Sequence, residues 1–199
     1  MKKAVFLDRD GVINPLVYNV STGEYESPNY PEDFSVFTYV TKALKLLKKE
    51  GFINIIISNQ PSVAKGKTTM QNIKKIEDML CQYSEEHGNL LDAYYYCYHH
   101  PEGVVSEYAK FCKCRKPDTL FVQQAVIKYD LDINKSYLVG DQDTDIKCGN
   151  DMNLYTIKII NKYTLNKISM EQPNDIASNL NEAVEKIIKH YEGVCYECE

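Results

Sequence analysis

Short apolar runs recur along the chain, and the first, second and fourth end in polar, functional side chains. The first, Ala4-Val5-Phe6-Leu7, runs straight into Asp8-Arg9-Asp10-Gly11-Val12-Ile13-Asn14. A stretch this uniformly apolar predicts a strand buried on both faces, as in a parallel sheet covered by helices. Phe52-Ile53-Asn54-Ile55-Ile56-Ile57 repeats the pattern and ends in Ser58-Asn59-Gln60. Further strands are predicted over 92–97, 136–140 and 154–159, the fourth ending at Asp141-Gln142-Asp143-Thr144-Asp145. Between the strands the period lengthens to that of amphipathic helices. Val40, Leu44 and Leu47 share one face of a helix predicted over 36–50, with Gly51 ending it. Other helices are expected over 70–87 and 118–130, in a short piece after Asp145, and over 180–190. Alternating strands and helices predict an α/β fold: a Rossmann-like, mostly parallel sheet with helices on both faces, in a single domain spanning 1–199.

Some stretches have no period. Residues 15–34 are polar and punctuated by Ser21-Thr22-Gly23, Ser27-Pro28-Asn29 and Pro31-Glu32-Asp33, which predicts a loop of about twenty residues. A loop that long is usually functional, and directly after Asp8 and Asp10 it is placed to cover a ligand. Residues 61–69 form a second loop, holding Lys65-Gly66-Lys67. Residues 97–116 and 160–176 are irregular too.

At 199 residues, with 44% hydrophobic and 26% charged residues, the chain is an ordinary globular one, long enough for a substantial core. No apolar run approaches the ~18 residues a membrane span needs, and the N-terminus lacks the pattern of a signal peptide. A cytoplasmic protein without a membrane partner is expected. The net charge of −5, without a lysine or arginine block, argues against nucleic acid as a partner. Seven cysteines in a reducing compartment suit metal ligation better than a disulfide framework.

In parallel sheets ligands collect outside the carboxyl ends of the strands, and that is where the polar clusters fall. Asp8 and Asp10, one residue apart and followed by a glycine, suit Mg²⁺, which takes hard oxygen ligands and shares them with phosphate; a lone cluster of this kind is more often an acidic turn capping a strand. Phosphoryl transfer needs a nucleophile, a proton donor, a carboxylate-held metal and donors for the phosphoryl oxygens. Asp8 and Asp10 supply the first two, Asp141 completes the metal site, Ser58 donates a hydrogen bond and Lys116 brings positive charge. Separately, Cys97-x-His99 and Cys112-x-Cys114 offer three thiolates and an imidazole, the set of a closed tetrahedral Cys₃His zinc site. His100 competes for the imidazole position. Cys81 and Cys148 are expected as small core residues, and Cys195-x-x-Cys198 lacks a second ligand pair in sequence.

The order Asp-x-Asp-Gly, a serine after an apolar strand, Lys-Pro, and Gly-Asp-x-x-x-Asp resembles the haloacid-dehalogenase superfamily of phosphatases. Residues 6–14, Ser58-Asn59-Gln60, Tyr95-Tyr96-Cys97-Tyr98-His99-His100-Pro101 and Cys112-Lys113-Cys114-Arg115-Lys116-Pro117 resemble its zinc-loop branch, which acts on heptose bisphosphate and histidinol phosphate. The likeness runs from Val5 to about Ile159. It implies that Asp8 attacks phosphorus, that Asp10 protonates the leaving oxygen and then activates water, and that Ser58 and Lys116 hold the phosphoryl oxygens. It places Asn59 and Arg115 near the substrate, and Mg²⁺ on the Asp8 and Asp141 carboxylates and the Asp10 backbone carbonyl. It implies zinc on Cys97, His99, Cys112 and Cys114, in a loop that the metal stabilises. Asp145 matches the last acid of the motif, or it is a helix N-terminal acid favoured by the helix dipole.

The sequence departs from that branch at Gln60-Pro61-Ser62, where Gln-Ser-Gly is usual, at Lys65, where arginine is usual, and in its longer 15–34 loop. With no insert large enough for a cap domain, a small phosphorylated sugar is the expected substrate of a monomeric enzyme. Removal of one phosphate from a heptose bisphosphate in surface-polysaccharide sugar synthesis is expected first. Histidinol phosphate, an inactive zinc-stabilised binding module and a nucleic-acid 3′-phosphatase are the alternatives.

Overall fold

The computed structural model describes residues 1–164 and 169–196, with side chains described as far as residue 193. In chain order the elements are β1 (Lys3–Leu7), β2 (Val17–Asn19), β3 (Glu24–Glu26), α1 (Val40–Lys49), β4 (Phe52–Asn59), α2 (Met70–Glu86), β5 (Ala93–Cys97), α3 (Leu120–Tyr129), β6 (Tyr137–Gly140), α4 (Asp143–Asp151), β7 (Tyr155–Ile159), β8 (Asp175–Ala177) and α5 (Leu180–Tyr196). Single 3₁₀ turns lie at Pro31–Asp33 and Ile133–Lys135.

Six strands form one sheet in the order β5-β4-β1-β6-β7-β8, and every pair in it is parallel. From β1 the chain winds outward in both directions, so the loops that leave β1 and β6 part and open a crevice at their carboxyl ends. The alternation of side chains explains how both faces are buried. In β1, Val5 and Leu7 join a core with Leu44, Ile73 and Val184, from α1, α2 and α5. Ala4 and Phe6 point the other way and pack with Val122 and Cys148, from α3 and α4. Two apolar layers flank the strand, as its continuous apolar run predicts. Among the described residues no helix is long and apolar enough to cross a membrane.

Four expectations are corrected. The 15–34 segment is not irregular throughout, because β2 and β3 pair as an antiparallel hairpin. Its strands are three residues long and largely outside the core, so no alternation of burial marks them. What holds them is the cross-strand pair Tyr18–Tyr25, edge to face at 5.3 Å. A strand also lies inside the irregular stretch after Ile159: β8, an edge strand whose middle residue Ile176 is exposed. The first helix starts at Val40 rather than Val36, since Phe37 donates its backbone N–H to Ile13 O at 3.0 Å instead of entering the helix. Cys81 is half-buried on α2 against Glu85 rather than in the core, whereas Cys148 is a core residue. Cys195 and Cys198 fall outside the described side chains.

Candidate active site

Asp8 emerges one residue beyond β1, and its backbone N–H bonds to Val139 O of β6 at 2.9 Å. Residues 9–14 then fold into a tight turn, with Ile13 N–H donating to Arg9 O at 2.8 Å. Gly11 makes the turn possible on two counts: its φ is +82°, and a Cβ there would lie 2.4 Å from Asp141 Oδ2. At the end of β6 a Cβ on Gly140 would lie 2.2 Å from that of Asp145. The two glycines let the β1 and β6 ends close on one another, so that carboxylate oxygens of Asp8, Asp141 and Asp145 lie within 4.8 Å of one another. All three residues are buried.

Three carboxylates this close need positive charge. Lys116, itself buried, reaches in from the far loop and donates to Asp8 Oδ1 at 2.9 Å and to Ile57 O at 2.6 Å, and it pairs with Asp145 Oδ1 at 2.6 Å. Burial pushes the Asp8 carboxyl up to about 6, and the charges of Asp145 and Asp10 push the same way, against Lys116. Burial works to lower Lys116, but Asp145 and Asp8 outweigh it and hold the ammonium above its ordinary value. Asp145 unites both readings of its sequence position. One oxygen faces Lys116 while the other accepts from Gln142 N–H at 2.9 Å in the capping box of α4.

Asp10 faces away from this cluster. Its Oδ1 accepts from Asn14 Nδ2 at 2.9 Å and from Arg9 Nε at 3.1 Å, and its Oδ2 accepts from Gln60 Nε2 at 2.7 Å. Burial alone would raise this carboxyl, but Arg9, Asn14, Gln60 and Ser27 overcome it and hold it below the usual range. Arg9 is wholly buried beside it. Arg9 and Gln60 lie inside the segments that carry the resemblance, but motif reading assigns neither a role. Arg9 reads as the spacer in Asp-x-Asp, and nothing local signals that Gln60, fifty positions on, completes the same network.

Ser58 and Asn59 belong to β4 itself and not to the loop after it. Ser58 is buried. Asn59 brackets the Lys116 peptide: Nδ2 donates to Lys116 O and Oδ1 accepts Lys116 N–H, both at 3.0 Å. Arg115 is half-buried, with Nη1 donating to His99 O at 3.3 Å. Asp8, Asp10, Asn59, Arg115, Lys116, Asp141 and Asp145 line one cleft of about 490 Å³, together with Tyr25, Glu26 and Ser27 of the hairpin arm and Lys65. The hairpin arm stands over the cleft by an ion pair, Lys67–Glu26 at 2.6 Å, and a ring contact, Tyr25–Tyr163 at 4.9 Å.

Beside the cleft, Cys97 at the end of β5 meets the irregular loop. Cys114 Sγ lies 3.3 Å from Cys97 Sγ, 3.2 Å from Cys112 Sγ and 3.5 Å from His99 Nδ1. A zinc at ~2.3 Å from each sulfur would set such edges near ~3.7 Å, so the four donors fit a closed tetrahedron after a small outward shift. His100 is engaged elsewhere, its Nδ1 accepting from Glu102 N–H at 3.1 Å, and the cluster contains His99. The carboxylate group fits a hard cation equally well in its donor chemistry: oxygen only, buried, and cradled by Gly11.

A doubly wound sheet with paired carboxylates leaving its central strand and a lysine closing on them defines a phosphatase of the haloacid-dehalogenase type. The sequence profile of the HAD-hydrolase-like family matches residues 113–183. The crystal structure of D,D-heptose 1,7-bisphosphate phosphatase from B. bronchiseptica, complexed with magnesium and phosphate, superposes with a TM-score of 0.75 at 20% identity, covering 94% of this chain and 99% of that one. Two bacterial relatives narrow the assignment. One, the D-glycero-beta-D-manno-heptose-1,7-bisphosphate 7-phosphatase of Haemophilus ducreyi, is 36% identical over 73% of this chain and 75% of its own length. The other, the D-glycero-alpha-D-manno-heptose-1,7-bisphosphate 7-phosphatase of Photorhabdus laumondii, is 38% identical over 74% and 76%. This chain belongs to the heptose-1,7-bisphosphate 7-phosphatase family.

Proposed function

We propose that the protein is a Mg²⁺-dependent phosphatase that removes one phosphate from a heptose bisphosphate through an aspartyl-phosphate on Asp8. The observation that carries this reading is the convergence of Asp8, Asp141, Asp145 and Lys116 at the crevice between β1 and β6. Asp8 Oδ attacks phosphorus, the bond to the leaving oxygen breaks, and Asp10, held ionised at rest by its donors and taking up a proton as the dianion enters beside it, gives that proton to the leaving oxygen. In the second step Asp10 takes a proton from water as the water attacks phosphorus, and the bond to Asp8 breaks. Ser58 and Lys116 donate to the phosphoryl oxygens, and Asn59 holds Lys116 in register through its backbone. Asn59 and Arg115 border the sugar. The Asp8 and Asp141 carboxylates and the Asp10 backbone carbonyl would hold Mg²⁺, which would supply positive charge for the approach of a dianion to a carboxylate. Cys97, His99, Cys112 and Cys114 would hold zinc with all four positions filled by protein, so that it would shape the loop and take no part in the chemistry.

Phosphate release tests the reading, measured across both anomers of the heptose 1,7-bisphosphate, histidinol phosphate, an aryl phosphate and a 3′-phosphorylated oligonucleotide. The largest kcat/KM is expected with a heptose bisphosphate, and a larger value with histidinol phosphate would overturn the substrate assignment. Asp141→Ala tests the metal: it removes one of two carboxylate ligands, so the Mg²⁺ concentration for half-maximal activity should rise at least about tenfold. An unchanged Mg²⁺ requirement would take Asp141 out of the site.

A further inference from the structure

Gln60 is wholly buried and has no part in either step described above, yet its side chain bonds Asp10, Ser58 and Arg9 at once. It continues β4 by one residue, its N–H bonding to Cys97 O at 2.7 Å. The period of the strand puts Ser58 and Gln60 on one side of the chain and Asn59 on the other. On the first side, Gln60 Nε2 donates to Asp10 Oδ2 at 2.7 Å and to Ser58 Oγ at 3.0 Å, while its Oε1 accepts from Arg9 Nη2 at 2.8 Å. On the other, Asn59 holds the backbone of Lys116.

The amide can sit only one way round. Reversed, it would set its oxygen against the Asp10 carboxylate and its NH₂ against the Arg9 guanidinium, two repulsive contacts in place of two charge-assisted bonds. So oriented, both amide hydrogens are used, one on Asp10 and one on Ser58. Ser58 Oγ thereby accepts from Gln60, and its single proton is left to donate elsewhere. An amide also adds no net charge to a site that must receive a dianion, which a carboxylate or an ammonium at this position would do.

We propose that Gln60 is a positioning residue: one buried amide, oriented by Arg9, that holds the Asp10 carboxyl in register with the leaving oxygen. This rests on the reading above, in which Asp10 moves the proton. When Gln60 is lost, Arg9 stays on both carboxylate oxygens and Asn14 on Oδ1, so the carboxylate is retained but loses its shortest bond, the 2.7 Å contact on Oδ2. A loosening on that scale costs rate rather than binding.

Gln60→Met keeps length and removes the donors; Gln60→Glu keeps shape and replaces the NH₂ with an oxygen. Each is measured with a sugar phosphate and with an aryl phosphate of good leaving group, after circular dichroism has confirmed the fold. With the sugar phosphate, kcat should fall about 10- to 100-fold. With the aryl phosphate the fall should be at least about fivefold smaller, because a good leaving group needs less proton donation. Built onto Asp10→Asn, Gln60→Met should lower the residual aryl-phosphate rate no more than about threefold, since the carboxylate it positions is already gone. Equal losses on both substrates, or a full additive loss in the Asp10→Asn background, would overturn the role. The separate finding that Asp10→Asn itself turns over the sugar phosphate normally would instead overturn the underlying mechanism. If Gln60→Met does not fold, the substrate comparison in Gln60→Glu decides: a fall shared equally by the two substrates overturns the proposal.

Discussion

Asp8→Asn is expected to lower turnover by at least about 10³-fold, on the order of 4 kcal/mol of barrier. The change keeps the size and shape of the side chain but removes the attacking charge. The fold should tolerate it for a specific reason. Asp8 is a buried carboxyl pushed up to about 6, so its charge is a net cost to the native state, and relief of that cost offsets the loss of one of the two carboxylates that hold Lys116 charged. Lys116 keeps Asp145 Oδ1 at 2.6 Å and Ile57 O at 2.6 Å when Asp8 is neutral. Phosphate-release kinetics beside a thermal melt provide the check: activity should vanish while the melting temperature holds. An Asp8→Asn protein that is folded and retains most of its activity would rule out the aspartyl-phosphate.

The second large effect is expected outside the cleft. Cys112→Ser should lose zinc and activity together, with a drop of at least about 10²-fold, while the helical and sheet content stays normal by circular dichroism. Between β5 and α3 the chain makes turns and carries Phe111 and Val104 exposed to solvent, so burial gives the loop little to fold upon. Lys116 lies two residues past Cys114, and its Nζ must reach Asp8 across 108 positions of sequence. Positions of this kind need holding within about 0.5 Å; Asn59 clamps the Lys116 peptide, and Cys112 and Cys114 fix the chain that leads into it. Added Mg²⁺ should not rescue the variant. Metal analysis and phosphate release on the same sample are the measurement. Purified protein without zinc, or a zinc-free variant with the normal rate, would refute the link.

Much of this site was legible from residue type and place alone. Asp8, Ser58 and Asp141 stand at the ends of apolar runs, and a parallel sheet brings such ends together whatever the loops do. Cys97, His99, Cys112 and Cys114 announce themselves by chemistry and tight spacing. What escaped reading depends on contacts that the chain makes only once folded. Gln60 and Arg9 are 51 positions apart, and neither side chain is unusual until the other is beside it. Asp145 could not be placed by sequence because it faces both ways, one oxygen toward Lys116 in the cluster and the other on the N-terminus of α4. The β2–β3 hairpin has three-residue strands with no buried position, and β8 puts only Ala177 into the core. Periodicity needs a core to be written against, and these pieces offer one buried residue between them.

That last property of the hairpin has an evolutionary side. It shares no ladder with the six-stranded sheet, and the Glu26–Lys67 pair and the Tyr25–Tyr163 contact that fasten it are partly solvent-exposed. Residues 17–26 can therefore drift in length and composition at little cost to folding stability, while the strand ends that hold Asp8 and Asp141 are bound by the packing of two cores. Change on this one peninsula of the chain reshapes the wall of the cleft that Tyr25 and Glu26 form and leaves the carboxylate cluster untouched.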